Sequence, residues 1–271
     1  MRSLCLASLV LCVWTHARAD DARPAAPSAV GRHLLTGVRA FKDGRYEEAL
    51  VELRIVARAP DAPADLAFYL GPTLYKLGRH REALATFATS RAAPDALTDF
   101  YLGETCYQLK LYRKARAVFA GLRTRGLGPV LDEAAARYVD LIDAAYQAEP
   151  GTSTIDYYVA QGLELADGSP VVAAEYLDEA RQVEALARTR YRHGEIAAAL
   201  ARAWNATGHA HAVVELLAGE PSPAAEASWQ LARAYAALGD AAHARPLLEA
   251  IVNARGANAA EATALLANLR P

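Results

Sequence analysis

The sequence predicts an all-α chain, a solenoid of antiparallel helix pairs. Segments 37–50 and 71–84 are similar to each other and place equivalent residues 34 positions apart, and a third, more divergent copy runs from 103 to 115. A constant period of this length is typical of stacked helix pairs, each of which packs on its neighbours along the chain. The chain is also rich in alanine, the residue with the highest helix propensity.

Each copy carries small residues at fixed positions. A glycine on the first helix is followed twelve residues later by an alanine on the second, as in Gly37/Ala49, Gly71/Ala83 and Gly103/Ala115. A further glycine, Gly44 or Gly78, marks the turn between the helices, since glycine readily takes the left-handed conformation that ends a helix. In the third copy Lys110 stands in that place, which leaves the geometry of its turn open.

The period and the small residues resemble those of the tetratricopeptide repeat (TPR) family, closely over about residues 30–125 and more loosely over 154–255. The resemblance implies a right-handed α-superhelix of helix–turn–helix units. It also implies that the small residues of a pair pack against each other, because two helices approach closely only where no bulky side chain separates them. Members of the family mostly bind other proteins, on a concave face lined by the first helix of each pair.

The second half of the chain repeats less regularly. Gly162 and Ala174 are again twelve residues apart, and the turn glycines Gly208 and Gly239 are 31 apart. Residues 257–269 predict a closing helix, which a solenoid needs in order to cover its last core face.

Segment 154–165 can form either of two structures. Its tyrosines and valine favour a strand. The twelve-residue spacing of Gly162 and Ala174 favours a helix, and we expect the helix.

Residues 1–19 have the organisation of a secretory signal peptide. An apolar run, 4–14, is too short to span a bilayer and precedes small residues at Ala17 and Ala19, which suit cleavage after Ala19. Arginine far outnumbers lysine, and alanine is also abundant, as in proteins of GC-rich bacteria. Because a secretory signal peptide in a bacterium directs export, we expect a periplasmic location. The sequence leaves open a buried N-terminal helix, and lipidation of Cys12, which would place the protein at the outer membrane.

The composition predicts four segments along the chain. Prolines and small residues without an apolar period indicate a flexible lead-in, and a turn-rich stretch at 149–154 separates two arrays. The predicted segments are the signal peptide 1–19, the flexible lead-in 20–30, an N-terminal TPR array with a capping helix at 31–148, and a degenerate C-terminal TPR-like array with a closing helix at 154–271.

Aromatic side chains occupy the positions of the first array that line the concave face in the family. Counted from the first-helix glycines, the candidate partner-binding residues are Phe41, Tyr69, Tyr75, Tyr101, Tyr107 and the charged Glu104. Such a groove suits an apolar or aromatic peptide or helix. The alternative is that these rings fill gaps between neighbouring helices. The positions where chaperone-tail binders of the family carry Lys and Asn hold Leu34, Val38, Phe68 and Pro72, so that clamp is absent.

A second candidate surface lies in the C-terminal array. Arg202 and Arg233 are 31 residues apart, and Trp229 precedes Arg233 by about one helical turn. Two guanidinium groups beside an indole suit a carboxylate or an acidic surface. Alternatively, the arginines are solvated and pair with Glu195 or Glu226.

Motifs for catalysis and for cofactors are missing from the sequence. It contains no Gly-rich phosphate loop, no Gly-x-Ser-x-Gly and no His-Glu-x-x-His, so we expect no enzyme activity, cofactor or metal. His209 and His211 are two residues apart, and side chains at this spacing point in different directions on a helix. We therefore expect a pair of surface histidines. Cys106 aligns with core positions. The net charge of −2 gives no electrostatic basis for binding nucleic acid.

These features predict a non-catalytic protein–protein interaction scaffold or adaptor of the bacterial cell envelope, which binds a partner peptide or helix in its concave groove. The mature chain is not expected to span a membrane, and its oligomeric state is not indicated. Two alternatives stay open. One is an outer-membrane-associated component of a secretion, pilus or motility machine. The other is an enzyme with a site at the junction of the arrays, near residues 149–170.

Overall fold

The regular structure is helical, as predicted. The computed structural model describes residues 28–90, 95–146, 151–220 and 223–269, and fourteen α-helices occur in those ranges. The chain packs as two compact units, one up to Tyr101 and one from Leu102. The predicted signal peptide, 1–19, lies outside the described residues.

The first unit consists of two helix pairs and the beginning of a fifth helix. Its helices are α1 (Ala29–Lys42), α2 (Tyr46–Ala57), α3 (Ala67–Lys76), α4 (His80–Ala88) and the first part of α5 (Ala96–Gln108). α1 packs on α2, α2 on α3, and α3 on α4, as in a stack of antiparallel pairs. Buried apolar side chains between α1, α2 and the start of α3 form one core cluster, which contains Ala40, Ala49, Leu53, Val56 and Leu66.

The second unit contains the rest of α5 and nine further helices, α6 (Tyr112–Thr124), α7 (Pro129–Tyr146), α8 (Thr152–Leu165), α9 (Pro170–Leu186), α10 (His193–Ala206), α11 (Ala210–Leu217), α12 (Ala225–Ala237), α13 (Ala241–Ala254) and α14 (Ala259–Asn268). α8 pairs with α9, α10 with α11, and α12 with α13. The predicted closing helix is confirmed, because α14 buries Ala262 against the core beside Leu248. Of the helices described, none combines the length and the apolar character needed to cross a bilayer.

The turns inside most of the described helix pairs share one hydrogen-bond pattern, from which the turn between α8 and α9 departs. After α1, Gly44 takes a φ of 77°, and the N–H of Arg45 donates to the carbonyl of Ala40 at 2.9 Å. This is the left-handed glycine cap that satisfies the last carbonyls of a helix. The same role falls to three further glycines with φ of 72°, 81° and 75°, namely Gly78, Gly208 and Gly239.

The third turn keeps this geometry without glycine. Lys110 takes a φ of 62°, and the N–H of Leu111 donates to the carbonyl of Cys106 at 2.9 Å. The left-handed conformation costs a residue with a Cβ about 1–2 kcal/mol. The turn geometry is therefore the same as in the glycine copies, at the cost of backbone strain at Lys110.

The glycines on the first helices lie against large residues of the second helices, a contact that the residue spacing did not predict. A Cβ on Gly71 would lie 2.2 Å from the ring of Phe87, and one on Gly103 would lie 2.7 Å from the ring of Phe119. Each ring stands sixteen residues after its glycine, one helical turn beyond the alanine. The alanines are fully buried, but the large residue is what requires the missing side chain.

One element boundary is set by a cap, and one ambiguity is resolved. α1 begins at Ala29, where the Ser28 hydroxyl accepts from the N–H of Gly31 at 3.0 Å, so residues 29 and 30 of the predicted lead-in 20–30 are helical, and 20–27 lie outside the described residues. The predicted division near 149–154 stays a prediction. Segment 154–165 lies within α8, which confirms the helix.

Two buried glutamates of α9 cap other helices of the second unit. Glu179 is 2% exposed and accepts from the backbone N–H groups of Arg113 (2.7 Å) and Lys114 (3.3 Å) in the first turn of α6. Glu184, also 2% exposed, accepts from the N–H of Arg192 at 2.9 Å, just before α10. The N-cap side chains of α6 and α10 make no capping hydrogen bond of their own. Carboxylates at these positions satisfy otherwise orphaned N–H groups and complement the helix dipole.

Candidate partner-binding surfaces

Tyr75 and Tyr101, two of the predicted groove residues, come together in the first unit. Their ring centroids are 5.6 Å apart at an interplanar angle of 58°. The ammonium group of Lys76 lies 5.7 Å from the Tyr75 centroid and 5.3 Å from the Tyr101 centroid. All three side chains are half-buried. We call Tyr75, Lys76 and Tyr101 the tyrosine–lysine surface.

Lys76 supplies the positive charge of this surface. Among the described residues it has no carboxylate partner, and its ammonium group is held by ring faces alone, an interaction worth about 0.5–1 kcal/mol at an exposed site. His80 packs on Tyr75 with the centroids 5.4 Å apart. Burial lowers the pKa of His80, and its buried Nδ1 lacks a hydrogen-bond partner among the described residues. His80 is therefore mainly neutral at pH 7.

Phe41 and Tyr69 pack on the core of the first unit. Both rings contact the buried cluster between α1, α2 and α3, and Phe41 also lies 5.7 Å from the ring of Tyr46. The pKa of the Tyr69 hydroxyl is raised, mainly by burial and further by the nearby carboxylates of Asp65 and Asp95. These two rings contribute to helix packing, and their contact with a partner stays a prediction.

Glu104 and Tyr107 lie against α7 in the second unit. The hydroxyl of Tyr138 donates to Glu104 Oε1 at 2.9 Å, and the Tyr107 ring packs on Tyr138 at 5.2 Å and on Tyr112 at 5.6 Å. The Glu104 carboxylate is thus engaged inside the protein. Half-buried Tyr107 keeps part of its surface accessible, so it stays a candidate contact.

Arg202 does not pair with either glutamate considered from the sequence. It forms an ion pair with Asp167, the residue two positions after α8. Glu195 instead pairs with Arg192 at 2.7 Å, and Glu226 accepts from the side chain of Gln230 at 2.7 Å. The expected pairing with Glu195 or Glu226 is therefore wrong, since both carboxylates serve groups nearer in the fold.

Trp229 is unavailable to a partner because it is only 4% exposed and belongs to the core beside α13 and α14. The guanidinium carbon of Arg233 lies 5.7 Å from the Trp229 ring centroid, and its Nη1 is 3.3 Å from Gln230 Oε1. The structure thus gives Arg202 and Arg233 different partners. The predicted arginine pair beside an accessible indole is not formed.

The titratable groups of the described residues form no metal-like cluster: no three His, Cys, Asp or Glu side chains converge as ligands. His209 and His211 are exposed on the surface. Cys106 is fully buried, and burial raises the pKa of its thiol to about 12.

A pocket of about 530 Å³ in the second unit lies between α9 and α11 and is also lined by Trp204 of α10. Its lining includes His193, which contacts two carboxylates, and the apolar residues Ala185, Ala212 and Leu216. Sequence reasoning missed this site because its parts come from three helices and share no spacing.

No family model matches the chain, and no curated protein matches it. Similar solved structures include the TPR domain of P58(IPK), 14% identical, with 88% of this chain and 66% of that chain covered at a TM-score of 0.36. They also include the TPR2AB domain of yeast Sti1 in its complex with pHSP90, 15% identical, with 88% of this chain and 96% of that chain covered at a TM-score of 0.36. The chain thus spans about two thirds of the P58(IPK) domain.

The helix pairs themselves have two features that the resemblance implied, antiparallel packing and left-handed turns. The fold is TPR-like. Lys76 was not among the predicted contacts of this TPR-like chain, although a signal was present. Only four of the 29 basic residues are lysines, and Lys42, Lys76 and Lys110 are each 34 residues apart.

Proposed function

We propose that this TPR-like chain is a non-catalytic protein–protein interaction scaffold whose partner docks on the tyrosine–lysine surface. The observation that carries the proposal is the arrangement of Tyr75, Lys76 and Tyr101. Two half-buried rings flank an ammonium group that has no carboxylate partner among the described residues. Tyrosine at a partly open surface offers large apolar area together with a hydroxyl, the combination enriched in binding contacts.

The partner segment fits this surface if it carries an apolar or aromatic side chain next to an acidic group. The ring edges of Tyr75 and Tyr101 accept the apolar side chain, and Lys76 pairs with the carboxylate. Such a charge pair at a rim contributes mainly to orientation and to the association rate. Binding is therefore expected to weaken as the salt concentration rises.

We further propose a periplasmic location in a bacterial envelope. Support comes from the signal-peptide organisation of residues 1–19, with small residues at the cleavage positions. Mass spectrometry of the protein purified from its native cells tests this point. A mature chain that starts at Asp20 supports the proposal, a lipidated Cys12 favours the outer-membrane alternative, and an uncleaved chain contradicts both.

The docking surface is tested by site-specific photo-crosslinking in the native cell. A photoreactive residue at position 75 is expected to crosslink a defined protein, whereas one at position 191 is not. Tyr191 is a suitable control because it is a tyrosine with 52% exposure in the other compact unit.

The purified partner is then measured against matched variants whose helix content is verified by circular dichroism. Tyr75→Ala with Tyr101→Ala is expected to weaken binding by about 10–100-fold, the usual effect of removing interface aromatics. Lys76→Gln is expected to reduce the salt dependence, and Tyr191→Ala to change nothing. Equal binding by the double variant and the native chain would refute the docking surface.

A further inference from the structure

His193 bridges two carboxylates from different helices. It is the first residue of α10, and its Nδ1 lies 3.0 Å from Glu184 Oε2 of α9 while its Nε2 lies 2.8 Å from Glu220 Oε1, just after α11. The contact therefore joins the end of one helix pair to both helices of the next.

The geometry determines the protonation state of the imidazole. An ionised carboxylate can only accept hydrogen bonds, whereas a neutral imidazole donates from one nitrogen and accepts at the other. Both contacts are hydrogen bonds only when both ring nitrogens carry a proton. The bridge is thus complete when His193 is positively charged and both glutamates are ionised.

Further charged groups surround the bridge on every packed element. Arg190 donates to Glu220 Oε2 at 3.0 Å, and the backbone N–H of Arg192 donates to Glu184 Oε1 at 2.9 Å. The Arg192 side chain is directed to other carboxylates, Asp156 on α8 and Glu195 on α10. Arg181 of α9 and Glu215 of α11 stand at the wall of the adjoining pocket.

The two carboxylates differ in how easily they can leave the imidazole. The Glu184 side chain is 2% exposed and its release would strand a buried charge, whereas the Glu220 side chain is 27% exposed and can be solvated. When the imidazole loses a proton, the remaining N–H therefore stays with Glu184, and the bare nitrogen faces Glu220. The bond to Glu220 is the one that breaks.

We propose that His193 and Glu220 form a pH-dependent latch that holds the end of α11 against the α9–α10 junction. The latch is closed while both ring nitrogens of His193 carry a proton and opens when one of them loses it. The latch residues line the pocket between α9 and α11, so opening frees one wall of that pocket. Protonation of Glu220 also opens the latch, because it removes the charge that the imidazole contacts.

The pKa of Glu220 agrees with this arrangement. It is lowered, first by the hydrogen bond to His193 and also by the charges of His193 and Arg190. A carboxyl group whose pKa is lower in the folded than in the unfolded protein stabilises the fold. This stabilisation is fully present above the unfolded-state pKa and is lost as the pH falls through the folded-state pKa. The closed latch is thus bounded by carboxylate protonation on the acidic side and by imidazole deprotonation on the other.

Hydrogen exchange of the full chain tests the latch, since local opening is read peptide by peptide. Amide exchange in peptides covering residues 210–220, divided by the intrinsic rate at each pH, is compared at pH 6 and pH 8.5. The native chain is expected to exchange on the order of tenfold faster at pH 8.5, the size of one lost hydrogen bond to a charged group. Nitrogen chemical shifts of His193, followed over the same pH range, are expected to show the loss of one ring proton together with the faster exchange.

Three variants decide the outcome. Glu220→Ala is expected to exchange quickly in this segment at both pH values, and His193→Gln to lose the pH dependence. His243→Gln is the matched control, because His243 pairs with a single carboxylate, Asp240 at the start of its own helix, and is expected to leave exchange in residues 210–220 as in the native chain. A pH dependence that survives in Glu220→Ala, or its absence in the native chain, overturns the proposal. Both of these results can be obtained even if His193→Gln does not fold.

Discussion

Glu179 Oε1 accepts a hydrogen bond from the backbone N–H of Arg113 at 2.7 Å, across 66 residues of sequence. Glu179 lies on α9, and Arg113 lies in the first turn of α6, so one side chain ties α9 to the start of α6. The hydroxyls of Tyr158 and Tyr176 add hydrogen bonds to the carbonyls of Lys110 (2.7 Å) and Leu109 (3.2 Å) in the same turn. A buried carboxylate is tolerated here because helix N-terminal amides satisfy it.

Replacing Glu179 by alanine is expected to lower the free energy of unfolding by about 1–3 kcal/mol, because two buried N–H groups lose their acceptor. Urea titration followed by circular dichroism measures the change. Glu133→Ala is the control, since Glu133 is exposed on α7 without a partner among the described residues, and its effect is expected within about 0.5 kcal/mol. Similar effects of the two substitutions would show that Glu179 does not act as a cap.

Gly71→Ala is expected to destabilise the chain by about 1–3 kcal/mol, because the added Cβ overpacks the contact with Phe87. The Cβ would lie 2.2 Å from that ring. Gly121→Ala provides the control: Gly121 is a helical glycine with no heavy atom within 4 Å of the added Cβ, so alanine is expected to stabilise by about 0.5–1 kcal/mol. Thermal melts of both variants measure the opposite signs.

A second variant identifies the cause of the loss. Adding Phe87→Leu to Gly71→Ala is expected to recover part of the stability, because the smaller side chain leaves room for the new methyl group. If Phe87→Leu only adds its own cost, the loss does not come from this contact.

Residue spacing was sufficient to predict the helix pairs but not their contacts. The period located Gly37, Gly71 and Gly103 and their paired alanines. It did not indicate that a large residue one turn after each alanine lies closest to the glycine. The choice depends on the helix crossing and on which way each side chain points, and neither is encoded in a repeat period.

The candidate sites were less predictable than the fold. Tyr75 and Tyr101 were both predicted to line the groove from the register of the repeat, and their ring centroids lie 5.6 Å apart. The ion pair of Arg202 with Asp167 and the burial of Trp229 were not predicted, because they depend on packing between pairs that differ in sequence. Contacts such as that of Glu179 with α6 join segments with no shared pattern.

Lys110→Gly is expected to stabilise the chain by about 0.5–1 kcal/mol. The left-handed φ of 62° costs lysine about 1–2 kcal/mol. This cost exceeds the gain of about 0.5–1 kcal/mol from the contact of the Lys110 ammonium group with the Tyr157 ring at 5.5 Å. The reciprocal change, Gly78→Lys, places lysine at a φ of 72° and is expected to destabilise by about 1–2 kcal/mol. Urea titrations of both variants test this pair, and equal signs would contradict the strain at Lys110.

Cys106 is expected to react slowly with thiol reagents in the folded protein. Burial raises its pKa to about 12, so at pH 8 the thiol is protonated, and only the thiolate is nucleophilic. In the chain that begins at Asp20, where Cys106 is the remaining cysteine, labelling by a disulfide reagent is expected to be at least about 100-fold slower than in urea.

The labelling rate also reports local opening. Cys106 reacts only when it leaves its buried position, and its carbonyl accepts from the N–H of Leu111, so labelling reports the opening of the turn at Leu111. Glu179→Ala is therefore expected to speed the labelling, and Glu133→Ala is not. Rapid labelling of the native chain at pH 8 would show that this part of the core opens readily.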